Sequence, residues 1–292
     1  MAKEKTKDMP KRKKKFVLIT VILLTVILLA LAIAVCYAFA TDNPYLSLIG
    51  FYLKGNRVDE LKIMSFNTQH CLNYITREID FDIMAKAILD CDADIVGLNE
   101  MRGAGEHPDY TAQVEKLAEL TGMEYYYFAK AIDTKGGPYG NAILSRVPIL
   151  EAESIMIPDP DPKSYNGYYE TRCVLKAKLA GGVTVLVSHF GLNPDEEENA
   201  VRTVMEHLAD EKCILMGDFN VTPDNPVLDP IKDRMKDTAD LFNVPKLSFP
   251  SDKPNKKIDY IFVSQNVEIL DADIPRIVAS DHRPHVALVK IQ

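Results

Sequence analysis

The sequence predicts an α+β domain whose layers are largely antiparallel, and three observations lead there. Strand-like apolar runs and a few helical patterns follow one another in mixed order, without the regular β-α-β succession of a doubly wound parallel sheet. A long β-rich stretch fills the middle of the chain, from Tyr125 to Ser188. Gly-Gly pairs at Gly136-Gly137 and Gly181-Gly182 punctuate that stretch as hairpin or loop turns.

Taken in order, the first feature is a basic head. Residues 1–15 hold seven lysines and Arg12 against Glu4 and Asp8, a local charge of +6, so the remainder carries −14 of the net −8. Such an acidic body repels polyanions at long range and argues against tight, sequence-indifferent nucleic-acid binding, though a nuclease that recruits metal ions remains open. From Phe16 to Ala40 no residue is charged. A helix needs about 20 apolar residues to cross a bilayer, so residues 16–40 are expected to anchor the chain in a membrane, with the basic head cytoplasmic and the rest outside. The alternative is secretion after cleavage near Ala40, because Ala38-Phe39-Ala40 has the small-x-small form of a signal-peptidase site. Secretory apolar cores run only about 7–15 residues, which favours the anchor.

Residues 41–60 read as a connector containing an amphipathic piece, Leu46 to Leu53, and residues 61–292 as one domain. With 47% hydrophobic residues in 292, the chain can bury a large core. Leu61 to Phe66 is expected as a strand, Phe81 to Leu89 as a helix, Ala93 to Leu98 as a buried strand, and Tyr110 to Leu120 as a helix closed by Gly122. Strands follow at Tyr125 to Ala129, Asn141 to Ser145, Leu150 to Ile157, Arg172 to Leu179 and Val183 to Ser188. A helix is expected over Asn199 to Leu208, a strand over Cys213 to Met216, a helix over Val227 to Leu241, and closing strands at Ile258 to Val263 and His285 to Lys290. Pro158 to Tyr169 and the lysine-bearing Asn243 to Lys257 are irregular, and long loops of that kind often form functional rims. Cys91, Cys173 and Cys213 lie in or beside apolar runs and read as small buried hydrophobes; no C-x-x-C pair offers a zinc ribbon or a redox motif.

Polar residues gather where apolar strands end. Asn67 closes the first strand, Glu100 the second, His189 follows Val185-Leu186-Val187-Ser188, and Asp218 and Asn220 follow Ile214-Leu215-Met216-Gly217. Asp259 opens Tyr260-Ile261-Phe262-Val263, and Asp281-His282 precedes the last strand. Singly, each is an ordinary turn former or helix cap. Together they would converge on one rim if the strands are neighbours.

The ordered set Ser65-Phe66-Asn67, Asn99-Glu100, Gly140 to Arg146, Glu170-Thr171-Arg172, Ser188-His189-Phe190, Gly217-Asp218-Phe219-Asn220, Ile258-Asp259-Tyr260 and Ser280-Asp281-His282 resembles the endonuclease/exonuclease/phosphatase superfamily over residues 61 to 290. The resemblance implies a four-layer α/β/β/α sandwich of the DNase I type, with two central mixed sheets and the site at their shared edge. It also implies a phosphoesterase dependent on Mg²⁺ or Mn²⁺. Glu100, assisted by Asn67 and Asp281, would hold the metal, an all-oxygen set suited to a hard cation. Asp218 would orient or deprotonate water, and Asn220 and Arg172 would meet phosphate oxygens. Asp259 would hold His282 beside the transition-state oxyanion, while His189 approaches from the other side. His70, close after Asn67, is a further candidate for the pocket wall. The substrate is a phosphate ester, with lipid headgroup, nucleotide and nucleic acid all open. The bilayer is the partner expected through residues 16–40, and no protein partner can be inferred. A membrane-tethered binding module that has lost catalysis is the competing class, and it would be expected to lack at least one of these groups.

Overall fold

Each sheet grows around one parallel pair of strands with near-continuous apolar sequence, the pattern of strands buried on both faces. β1 (Glu60–Asn67) runs parallel to β2 (Ile95–Arg102), and β7 (Thr184–His189) parallel to β8 (Cys213–Asp218). Antiparallel pairing adds the outer strands. In the computed structural model, which describes residues 20–27, 29–30, 32–33, 44–53, 55 and 57–291, the first sheet has the order β11 (Glu268–Asp273), β12 (His285–Lys290), β1, β2, β4 (Pro138–Ser145), β3 (Tyr125–Asp133). The second has the order β5 (Ile149–Met156), β6 (Cys173–Leu179), β7, β8, β10 (Asp259–Ser264), β9 (Met235–Asp237).

Side-chain alternation turns these sheets into layers. Met64, Phe66, Val96 and Leu98 pack outward against α2 (Phe81–Cys91) and α3 (Gln113–Thr121) through Met84, Ile88, Val114 and Leu117. On the second sheet Leu186, Leu215 and Phe262 pack outward against Ala200, Val201 and Val204 of α4 (Pro194–His207) and Ile231 of α5 (Asp229–Arg234). The intervening residues, among them Ile63, Ile95, Val185, Val187, Ile214 and Met216, are buried as well. At Gly97 a Cβ would stand 2.6 Å from Met216 Sδ and 3.0 Å from Val187, so the two sheets press directly on each other there. The result is the expected arrangement of two mixed sheets between helical layers.

Local signals account for the helix ends. Asp80 caps α2 by accepting from Ile83 N, α3 stops at Gly122 with φ +67°, and α4 begins earlier than expected because Pro194 occupies its first turn and Glu196 reaches back to Asn193 N at 3.2 Å. The helix expected over Val227 to Leu241 is a correction. Only Asp229–Arg234 is α-helical, because Met235–Asp237 leaves to pair with β10 and Asp237 caps a separate 3₁₀ turn, Thr238–Leu241. β11 was not anticipated. It is an edge strand with charged, exposed positions at Glu268 and Asp271, so its apolar alternation is weak. Cys71, Cys91, Cys173 and Cys213 are free and buried.

Cα packing divides the chain into Met1–Gly50 and Phe51–Gln292. In the first unit residues 20–27, 29–30 and 32–33 are helical with exposed Val, Ile and Leu side chains, and helix α1 (Pro44–Leu53) runs across the boundary. The expected anchor at 16–40 lies partly outside the described residues, and among the described residues no helix is long and apolar enough to cross a membrane. In the second unit β1 starts at Glu60 opposite Lys290 and ends at Asn67, so the first and last strands share their outer ends at the edge away from the strand-end polar residues.

Candidate active site

The parallel pairs fix the site, because both end at the same rim. Asn67 is in register with Asn99, and His189 with Asp218. Asp259, on β10, is in register with Asp218, and the loop before β12 brings in Asp281 and His282.

Glu100 reaches the rim through a bulge. Leu98 pairs with Ala142 and Met101 with Gly140, so Asn99 and Glu100 together oppose Asn141, and Glu100 sits at φ +60°. A bulge re-aims a side chain, and a non-glycine residue held in the left-handed region costs about 1–3 kcal/mol that the surroundings must offset. Those surroundings are Asn99 and Asn141. Asn99 Nδ2 donates to Asn141 Oδ1 at 2.8 Å and to the Ser188 carbonyl at 3.1 Å, Asp218 N donates to Asn99 Oδ1 at 3.0 Å, and Asn141 Nδ2 donates to the Cys173 carbonyl at 2.8 Å. This buried amide network ties the two sheets together directly beneath the site.

A Cβ on Gly217 (φ +146°) would stand 1.8 Å from the Ser188 carbonyl, so the close pass of β8 over β7 requires glycine. Asp218 faces the site. Phe219 turns outward and stacks on Phe190, ring centroids 4.1 Å apart, and on Tyr260 at 5.1 Å. Asn220 N donates to Asp218 Oδ1 at 3.0 Å, and its Nδ2 donates to the Phe190 carbonyl at 3.0 Å and lies 3.1 Å from His189 Nε2.

Asp218 Oδ2 is the hub. Asn67 Nδ2 donates to it at 3.0 Å, and His189 Nε2 and His282 Nε2 lie 3.6 and 3.5 Å away. Burial raises the Asp218 pKa and the charge of Asp259 adds to that, against the opposing pull of His282. Burial works against a charged His282, yet Asp259, whose Oδ2 accepts from His282 Nδ1 at 2.9 Å, and then Asp218 overcome it, and the imidazolium persists to about pH 10. His189 is the opposite case. Burial, the Arg172 charge and His282 hold its pKa well below the usual value. Arg172 Nη1 donates to His189 Nδ1 at 3.0 Å, and Asn220 Nδ2 and Asp218 Oδ2 flank Nε2 at 3.1 and 3.6 Å.

Asn67 Nδ2 donates to Glu100 Oε1 and to Asp218 Oδ2, both at 3.0 Å, while its Oδ1 accepts from Gln69 N at 3.0 Å, so this amide links the two carboxylates.

Burial raises the Glu100 pKa and the Asp281 charge adds to it, while the bond from Asn67 and the charges of His282 and Arg172 oppose the rise. Asn67 bonds Glu100 Oε1, and Oε2 lies 4.0 Å from His70 Nδ1, beyond hydrogen-bonding reach. Burial and Arg102 lower the His70 pKa to about 4, so this residue adds no charge there at neutral pH. Asp218, Asp259 and His282 also present possible ligand atoms within 4.8 Å of one another. His282 could join such a set only by giving up its proton, because an imidazolium has no lone pair to offer.

Residues that strand-end reasoning passed over also line the site. Tyr139 has its pKa raised by burial and by the charges of Glu100 and Glu170, against the opposing pull of Arg172. Glu170 Oε1 lies 2.7 Å from Arg172 Nη1. Arg172 Nε is buried with no hydrogen-bond partner, as is Asp259 Oδ1. Tyr139 stood next to the Gly140 to Arg146 motif and Glu170 inside the Glu170-Thr171-Arg172 motif, so proximity to those motifs was the available signal.

The family model described as the endonuclease/exonuclease/phosphatase family matches residues 64–282. The chain belongs to this family. No curated protein sequence matches it. Among solved structures, a functionally unknown conserved protein from Enterococcus faecalis V583 aligns with a TM-score of 0.63 at 20% identity, covering 80% of this chain and 100% of that one. A family protein from Beutenbergia cavernae DSM 12333 aligns with a TM-score of 0.63 at 20% identity, covering 80% and 72%. A mannosyl-6-phosphatase from Bacteroides thetaiotaomicron VPI-5482 aligns with a TM-score of 0.63 at 18% identity, covering 80% and 99%. These likenesses establish the endonuclease/exonuclease/phosphatase fold.

Proposed function

We propose that the chain is a divalent-metal-dependent hydrolase that cleaves a phosphate ester by attack of water. The observation that carries this reading is the junction at Asp218: one buried carboxylate with a raised pKa, shared by a charged and a neutral histidine, beside the Glu100 carboxylate. Family membership and the phosphatase among its structural neighbours are consistent with it. Glu100 and Asp281 would hold Mg²⁺ or Mn²⁺, since hard cations prefer carboxylate oxygen. When bound, such an ion offsets charge on the phosphate oxygens and makes water more acidic.

The chain's own residues divide the remaining work. Asp218 orients the attacking water and takes its proton as the new P–O bond forms. His282, charged and held by Asp259, donates its proton to the leaving oxygen as the ester P–O bond breaks. Arg172 Nε, a buried donor without a partner, would bond a phosphate oxygen, because leaving such a donor unpaired costs about 1–3 kcal/mol. His189, with Nε2 3.6 Å from Asp218 Oδ2, steadies that carboxylate. A nuclease of the same family is the alternative, and the −14 charge of residues 16–292 disfavours it.

We further propose that residues 16–40 anchor the chain in a membrane with residues 41–292 outside. The uncharged run and the basic head support this. Protease added to intact cells should remove the domain, and its full protection would overturn this topology.

The hydrolase is tested with the full-length chain on bis-p-nitrophenyl phosphate. Turnover should require Mg²⁺ or Mn²⁺, vanish with EDTA and return when the metal is restored. A wild-type rate no higher than that of Glu100→Ala would end the hydrolase reading.

A further inference from the structure

The cation that should meet the substrate phosphate is already neutralised. Arg172 and Glu170 form an ion pair at 2.7 Å with side chains only 11% and 17% exposed, and Tyr168 Oη donates to the other Glu170 oxygen at 3.0 Å. The Glu170 backbone is fixed too, its N–H donating to Glu196 Oε1 at 3.1 Å. Arg172 Nη1 is thus spent on Glu170 and His189, and its charge is paired with Glu170 even though Nε and Nη2 remain as donors. Around it the carboxylates of Glu100, Glu170, Asp218, Asp259 and Asp281 outnumber the cationic groups Arg172 and His282.

Such a site has donors for phosphate oxygens but little spare positive charge, even after a divalent ion is added. A phosphate monoester carries close to two negative charges at neutral pH, its second pKa being about 6, whereas a diester carries one. Each extra charge in a poorly hydrated, acid-lined site is repelled more strongly than in water.

We propose that Glu170 sets the substrate class, restricting the site to singly charged phosphodiesters and turning away doubly charged monoesters and free phosphate. This rests on the hydrolase reading above and goes further by choosing between the two kinds of ester. Glu170 acts through Arg172 and is a specificity-determining residue, not one that touches the reacting atoms.

The test compares kcat/KM for bis-p-nitrophenyl phosphate and p-nitrophenyl phosphate with Mn²⁺ in the full-length wild-type chain, Glu170→Gln and Glu170→Asp. Glu170→Gln should shift the diester-to-monoester ratio toward the monoester by about tenfold, mainly through the monoester KM, and tighten inhibition by inorganic phosphate by a similar factor. Glu170→Asp, which keeps the charge, should hold both within about threefold of wild type. A purely structural role would lower both kcat/KM values together and leave the ratio where it was. An unchanged ratio in an active Glu170→Gln enzyme overturns the proposal. Should that variant fail to fold, the wild-type chain still decides: dimethyl phosphate must inhibit more tightly than inorganic phosphate, and the reverse order overturns it. Absence of turnover of either ester by wild type, level with Glu100→Ala, would instead overturn the hydrolase reading underneath.

Discussion

His189 and His282 stand at similar distances from the same carboxylate oxygen, 3.6 and 3.5 Å from Asp218 Oδ2, and both are buried, yet their pKa values are pushed in opposite directions. Solvent exposure does not distinguish them. What differs is the group behind each ring: Arg172 donates to His189 Nδ1, while Asp259 accepts from His282 Nδ1. A donor behind the ring leaves the imidazole neutral, and a carboxylate behind it keeps the imidazolium. One residue type thus supplies two functions across one aspartate, and the partner on the far nitrogen assigns them.

The comparison can be broken most severely at its shared centre. Asp218→Asn keeps the shape but removes the proton acceptor, and kcat should fall by about 10³-fold or more with the melting temperature little changed. Near wild-type turnover would take Asp218 out of the mechanism. Next in size, His282→Ala should cost about 10²- to 10³-fold; a loss under about tenfold, or roughly 1.4 kcal/mol, would remove it from proton transfer.

Asp259→Asn sharpens the contrast by withdrawing only the partner of His282. Its raised pKa keeps His282 charged below about 10, so wild-type activity and the stability of this ion pair are both lost as pH rises through that value. In the variant the alkaline limb of the pH–rate profile should move down toward the ordinary histidine range, with a loss of about 10²-fold at neutral pH. An alkaline limb that stays in place would show that another group controls it.

His189→Gln should be the mildest, about tenfold in kcat with no movement of the alkaline limb. Because the His189 pKa is lowered on folding, this residue favours the folded state above about pH 6.5, its unfolded value, and that advantage is lost as pH falls further. Gln cannot take up that proton, so the variant's melting temperature should depend less on pH below about 6.5 than the wild type's. Parallel curves for the two proteins would refute a neutral His189.

Much of the site was legible because β8, β7, β2 and β1 end in a polar residue after an apolar run, and parallel pairing then carries those ends to one rim. Asp218 and His189 needed only that. Asn67 was legible as a member, but its contact with Gln69 N was not, since that contact is made by a left-handed turn at residues 69–71. Asn99 and Asn141 were hidden inside quoted motifs, because a buried amide tying two sheets together looks like any other strand residue until the sheets face each other. The Val227 to Leu241 segment misled for a related reason: its apolar spacing fits a helix, and only pairing of Met235–Asp237 with β10 shows that tertiary contact overrides it. Glu268 to Asp273 was invisible because a charged edge strand carries almost no periodic signal.

β1 is eight residues long, so about 25 Å of rigid backbone separates Glu60 from Asn67. Lys290 on β12 pairs with Glu60, which places the two ends of the folded unit side by side at the edge opposite the rim. A group joined directly at Glu60 or Lys290 would therefore stand a strand's length from the chemistry, leaving the rim open to large substrates.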